Sequence, residues 1–279
     1  MQFLIFNIKP INYKPKYYQL KSTYLLIAIL TKSKAGKKNM STRSRREREK
    51  EQRRNEILDA AEELFLSKGY DNVHMDEIAR EVELGKATLY LYFENKEALF
   101  FSIALRALKT MVEMAKEAAD GENKGMKKIT AYRNAYYAFV KEHPDHSKIL
   151  SYSSLIQFDR ESIENYDENN DFKRKSSGKL LKAKDIYIEI IRTRKEILDH
   201  IYESIQVGRD DGTIRSDIDP IILAILTMII SEGFQDMPIE FKSALIDRGV
   251  KYKDFLDGVM LLIGQMIASD EYLSQIGYK

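Results

Sequence analysis

From Arg53 onward, apolar and polar positions alternate with the period of an α-helix. Ile57, Leu58, Ala60, Ala61, Leu64 and Phe65 recur at steps of three and four, which predicts one amphipathic helix. The helix should stop at Ser67-Lys68-Gly69-Tyr70, because Gly69 suits a left-handed C-terminal position and Lys68 complements the negative helix end. Met75 to Val82 predicts a second, shorter helix, with Met75, Ile78, Ala79 and Val82 inward, Asp76 and Glu77 in its first turn, and His74 just before it. After a break at Glu83-Leu84-Gly85, a third short helix is expected from about Lys86 to Phe93. Leu89 and Phe93, four apart, share its inward face, which Leu84 would also join. Successive helical residues are about 100° apart, so Lys86, Thr88, Tyr90 and Tyr92 cannot all point inward as well. Some of them must face solvent or a partner.

The helical pattern continues to the end of the chain. A long helix fits Lys96 to Ala119, and another fits about Met126 to Glu142, carrying Tyr132, Tyr136, Tyr137 and Phe139. A polar stretch from Asn165 to Gly178 reads as a mobile connection before a long helix at about Leu180 to Val207. Pro220 to Phe234 and Phe255 to Ala268 are apolar nearly all round, too short to span a bilayer and too apolar for a monomer's surface. Gly258 and Gly264 in the second of these allow close helix approach. Two such helices from each of two chains would form a four-helix dimer interface; the alternative is that both are internal helices of one chain.

Composition narrows the class. Among 279 residues there are only five prolines and 13 glycines, which favours an all-α protein over a turn-rich sheet protein. There is no cysteine, so disulfides, thiolate zinc sites and cysteine nucleophiles are excluded, and a reducing, cytoplasmic setting is the simplest expectation. The formal net charge of +2 hides a division, because residues 1–39 hold eight lysines and no acid, leaving a net of −6 for the rest. Within that rest, Met40 to Arg54 carries a local excess of four positive charges; such a run either attracts phosphate or is a solvated helix start. Residues 1–39 are expected to be a poorly ordered extension, or not part of the native protein if Met40 is the true start. Their apolar run, Tyr24 to Leu30, is far shorter than the roughly 20 residues that cross a bilayer.

Two short helices joined by a tight turn, the second ending in polar and aromatic side chains, form a helix-turn-helix. The span from Arg53 to Phe100, with Ile57-Leu58-Asp59-Ala60-Ala61-Glu62-Glu63-Leu64-Phe65, Gly69-Tyr70, Glu77-Ile78-Ala79, Thr88-Leu89-Tyr90-Leu91-Tyr92-Phe93 and Lys96-Glu97-Ala98-Leu99-Phe100, resembles the DNA-binding domain of TetR/AcrR transcriptional regulators. The resemblance implies an N-terminal three-helix head at residues 40–100 and a C-terminal helical ligand-binding and dimerisation body at 101–279. It also implies a homodimer on a double-stranded operator, a small-molecule effector, and repression as the usual outcome. On matching positions it implies that Lys86, Thr88, Tyr90 and Tyr92 meet the major groove and phosphates, that Ala87 lies near the DNA backbone, and that Lys96 binds phosphate. Three residues depart from the family pattern: Glu83 for a turn glycine, Gly85 for a capping serine, and His74 for a threonine or serine.

For the body, Tyr132, Tyr136, Tyr137, Phe139, Tyr152, Phe158 and Tyr187 are candidates to line an effector pocket, against the plainer reading of a helical core with tyrosines at its edge. His143 and His146 have a spacing that suits a metal, but Pro144 between them and no third ligand nearby favour a surface turn, so no metal or cofactor is expected. No phosphate-cradling loop, nucleophile elbow or His-Glu-x-x-His pair supports an enzyme. The competing expectation is a helical protein-interaction or membrane-associated module that uses the lysine-rich front segment.

Overall fold

The computed structural model describes residues 42–155, 180–233 and 237–277. Residues 1–39, Phe158 and the polar stretch 165–178 lie outside them. Among the described residues the fold is all-α, with no strand and only two isolated bridges. In chain order the helices are α1 (Thr42–Lys68), α2 (Met75–Glu81), α3 (Lys86–Leu89), α4 (Lys96–Asp120), α5 (Gly125–Glu142), α6 (Pro144–Leu155), α7 (Ala183–Asp210), α8 (Pro220–Gly233), α9 (Ile239–Asp247), α10 (Tyr252–Ile267) and α11 (Asp270–Gln275). None is long and apolar enough to cross a membrane.

The chain divides into two compact units at Glu49 and Lys50. In the first, the described residues are the opening turns of α1, where Arg45 and Glu49 form an i,i+4 ion pair at 2.8 Å. The mixed-sign run is thus helical, and α1 begins well before the periodic apolar pattern does.

Within the second unit, the apolar face of α1 (Ile57, Leu58, Ala61, Leu64, Phe65) meets Ile78 of α2, Leu89 of α3 and Leu99 and Phe100 of α4 in one buried cluster. Burial of each such large side chain contributes about 1.5–3 kcal/mol. α1 ends as expected, with Gly69 at φ +81° and its N–H donating to the Phe65 carbonyl. The first turn of α4 is capped by Asn95, whose side chain accepts from Ala98 N at 2.8 Å.

Further along the same unit is a bundle in which α4, α5 and α7 pack on one another, α6 packs on α4 and α5, and α8 packs on α7. At one end α5 and α7 nearly touch: a Cβ added to Gly125 would lie 2.1 Å from the backbone nitrogen of Gly208. Only glycine permits that approach. Asp211, just past α7, accepts from Gly125 N at 2.8 Å and fixes the crossing. The short helices α9 and α11 have no buried residue, which explains why the sequence pattern does not announce them.

Candidate nucleic-acid interface

The turn between α2 and α3 is set by Glu83, which adopts φ +53°, the left-handed region that disfavours a residue with a Cβ. Leu84 N donates to the Ala79 carbonyl at 2.8 Å and closes the turn. Neither His74, before α2, nor Gly85, before α3, makes a side-chain cap, so the missing hydroxyls are not replaced. α3 is shorter than the period suggests. It ends at Leu89, and Leu91 N and Tyr92 N donate to the carbonyls three residues back, Thr88 and Leu89, a tighter 3₁₀-type winding. The physical reason lies outside the segment: Leu181 N donates to the Tyr92 carbonyl and Glu94 N donates to the Leu181 carbonyl, each at 3.0 Å. This bridge draws the backbone off the helical path while Phe93 is anchored inside.

Leu89 and Phe93 are 0% exposed, and the remaining side chains sort around them. Lys86, Ala87 and Tyr90 are exposed, the last at 39%, and Thr88 is half-buried. Leu91, 67% exposed, stands beside them; as an apolar residue in a polar list it carried no sequence signal. Lys86 Nζ pairs with Asp76 Oδ1 of α2 at 2.7 Å across exposed surface, and hydrogen bonding to that carboxylate raises the lysine's pKa. Tyr92 is half-buried beneath Lys50 of α1, whose Nζ lies 5.6 Å from the ring centroid. Lys96 sits apart from these: its Nζ donates to the carbonyl of Tyr70 at 2.9 Å and of Asp71 at 3.4 Å and stands 4.3 Å from the Tyr70 ring centroid. One of its three N–H donors stays uncommitted. The structure thus brings Lys86, Ala87, Thr88 and Tyr90 onto one outward ridge, with Tyr92 at its base and Lys96 holding the α1–α2 loop.

Behind the ridge, two contacts tie α6 to α1, the α1–α2 loop and α4. Tyr152 packs on Tyr70 and Phe100, with ring centroids 5.8 and 5.6 Å away, and its hydroxyl donates to Asp71 Oδ2 at 3.4 Å. Burial, followed by the nearby Glu97, Tyr152 and Asp71, pushes the Tyr70 hydroxyl up to about 12. His146 Nε2 meets Glu62 Oε1 of α1 at 2.9 Å, and Arg106 of α4 clamps Asp59 and Glu62 together. Burial would raise the Glu62 carboxyl, but hydrogen bonds from His146 and Arg106 outweigh it and hold it below its ordinary value. His143 and His146 stack with ring centroids 5.6 Å apart; no group of three metal-ligating side chains forms among the described residues.

The aromatic candidates of the body do not converge. Tyr132 and Tyr136 line one cavity between α4, α5, α7 and α8. Phe139 lies two turns beyond Tyr132, about 10 Å along the axis, and is buried against His143 and His146. Tyr152 belongs to the junction just described, and Tyr187 packs on Phe101 at 5.2 Å. Tyr137 is the neighbour of Tyr136 by ring contact, outside the cavity wall.

Residues 57–103, which hold the α1 face, the turn, α3 and the start of α4, match the model of the tetR family of bacterial regulatory proteins. The match spans 47 of the 279 residues. It is 30% identical over 119 residues to YhgD of Bacillus subtilis (strain 168), named as an HTH-type transcriptional regulator, a match covering 39% of this chain and 62% of the relative. It is 28% identical over 92 residues to the HTH-type transcriptional activator FasR of Mycolicibacterium smegmatis, covering 33% of this chain and 42% of that one. Less than two thirds of either relative is therefore matched. The fold extends further than the sequence likeness: a tetR-family regulatory protein from Rhodococcus RHA1 superposes with TM-score 0.54 at 14% identity, over 78% of this chain and 97% of that one. The matched relatives are named as transcriptional regulators.

Proposed function

We propose that this chain is a tetR-family homodimeric repressor that reads a palindromic operator with α3 and releases it when a small molecule enters the body. The observation that carries the reading is the ridge itself. Two fully buried side chains, Leu89 and Phe93, pin a short segment whose opposite side offers an ammonium, two hydroxyls and an exposed leucine. Hydroxyls and ammonium groups donate to phosphate oxygens and base edges, and an apolar side chain suits a thymine methyl. Lys86, Thr88 and Tyr90 take the groove and phosphate contacts, with Ala87 close to the backbone. Tyr92 acts from the base of the ridge, and Lys96 offers its remaining N–H to a phosphate near the α4 N-terminus. The head at residues 40–100 and the body at 101–279 are joined by α4, which serves as the lever.

Selection of bound sites from random duplexes tests this directly. An inverted repeat with half-site centres about 34–36 Å apart is expected; recovery of no preferred sequence would sink the reading. FasR is named an activator, so the sign of control needs its own measurement: placed upstream of a reporter, the recovered site should lower expression when the protein is present.

A further inference from the structure

The cavity between α4, α5, α7 and α8 has a volume of about 50 Å³, several times what one water needs. Met111, Ile129, Ile197 and Met228 give it apolar walls. Two of its hydroxyls are committed to α8 itself: Thr227 Oγ1 donates to the Leu223 carbonyl at 2.8 Å and Ser231 Oγ to the Thr227 carbonyl at 2.7 Å. Two charged side chains reach the lining, Glu232 and Arg133. Glu232 has a counterion in Arg194 at 3.8 Å. Arg133 has none among the described residues, and its Nε is sealed from solvent without an acceptor. One turn along the same face of α5, the Tyr137 hydroxyl is likewise buried without a partner. Burial is the main reason the guanidinium pKa falls to about 10.

Arg133 is half-buried, and a guanidinium whose Nε is sealed without an acceptor carries part of the cost of an unpaired charge, which one partner removes. The partner that suits it is an anion small enough for the cavity. A planar carboxylate matches the side-on edge of a guanidinium and brings one negative charge to one positive charge, whereas a phosphate dianion would leave charge uncompensated. We propose that Arg133 binds the carboxylate of a small monocarboxylic acid whose hydrocarbon part packs against the cavity's apolar walls. This deepens the reading given above and rests on its effector cavity, while its chemistry stands independently of DNA.

The test uses the full-length chain, with sodium propanoate as probe and 1-propanol as its uncharged counterpart, sized to the cavity. At about tenfold excess over Kd, propanoate should raise Tm by about 3–5 °C, and propanol at equal concentration should not. Arg133→Met should abolish the propanoate response, and its ligand-free Tm should equal or exceed the parent's, because a half-buried charge without a counterion has been removed. Arg133→Lys should retain part of the response. Equal responses to propanoate and propanol, no response to propanoate, or an unchanged propanoate response in Arg133→Met would each overturn the proposal. Should Arg133→Met fail to fold, the propanoate–propanol comparison on the parent decides alone. Duplex binding measured on the same samples separates the two readings: a parent that binds propanoate through Arg133 but binds no duplex sinks the repressor and leaves the carboxylate site standing.

Discussion

At the residue scale, the ridge holds a charge that is already neutralised. Lys86 is paired to Asp76 in the free protein, so a phosphate must compete with that carboxylate. Asp76→Asn should therefore tighten duplex binding, while Lys86→Ala should weaken it and reduce the slope of log K against log salt by about 0.9 if that lysine meets one phosphate. Salt titrations of the two variants against the parent check both directions. Glu83 is the second residue whose cost is visible. A left-handed backbone costs a residue with a Cβ about 1–2 kcal/mol, and a glycine there would return part of that as chain entropy. Glu83→Gly should stabilise the protein by up to about 1 kcal/mol, read as an increased urea midpoint at constant slope.

At the element scale, what the sequence made legible followed from burial on one face. α1, α2, α4, α5 and α7 each bury a periodic apolar stripe, and each appears within a few residues of its expected bounds, apart from the early start of α1. α3 is shorter than its period because its exit is set by Leu181, almost ninety positions away, which no local pattern encodes. The same holds for the aromatic candidates: residue type marked them, but only the packing of α6 on the α1–α2 loop and α4 separates Tyr152 from Tyr132 and Tyr136. Arg133 was missed because a lone arginine on an amphipathic helix looks solvated until its surroundings are known. The α1–α6 junction yields a pH prediction. Glu62 has its pKa lowered in the folded state, so its stabilising contribution is present above the ordinary value of 4.5 and is lost as pH falls through the folded value. Glu62→Gln should cost about 1–3 kcal/mol at neutral pH and flatten the acid limb of the stability profile; acid titrations followed by circular dichroism would reveal a parent and variant that converge at low pH.

At the scale of the whole molecule, the chain leaves a surface that water does not favour. On α8, Leu223, Ala224, Thr227 and Ser231 face inward, while Ile221, Ile222, Ile225 and Ile229 lie on the outer side, Ile229 at 62% exposure. Leu261 and Leu262 of α10 are exposed too, and added Cβ atoms at Gly258 and Gly264 would meet nothing within 4 Å in the single chain. One exposed isoleucine needs no explanation, but contiguous apolar patches mark contact sites. A second copy is the occupant that the repressor reading requires, because two recognition segments must be held at one spacing to engage two half-sites. Ile222→Glu combined with Ile229→Glu changes only exposed positions, so the fold by circular dichroism should be unchanged, while sedimentation should move from dimer to monomer. Each monomer would then hold one half-site alone, and duplex affinity should fall by roughly 10²–10⁴ as the gain from linked binding is lost. A variant that remains dimeric would place the interface elsewhere; one that is monomeric yet binds the full site undiminished would separate dimerisation from recognition.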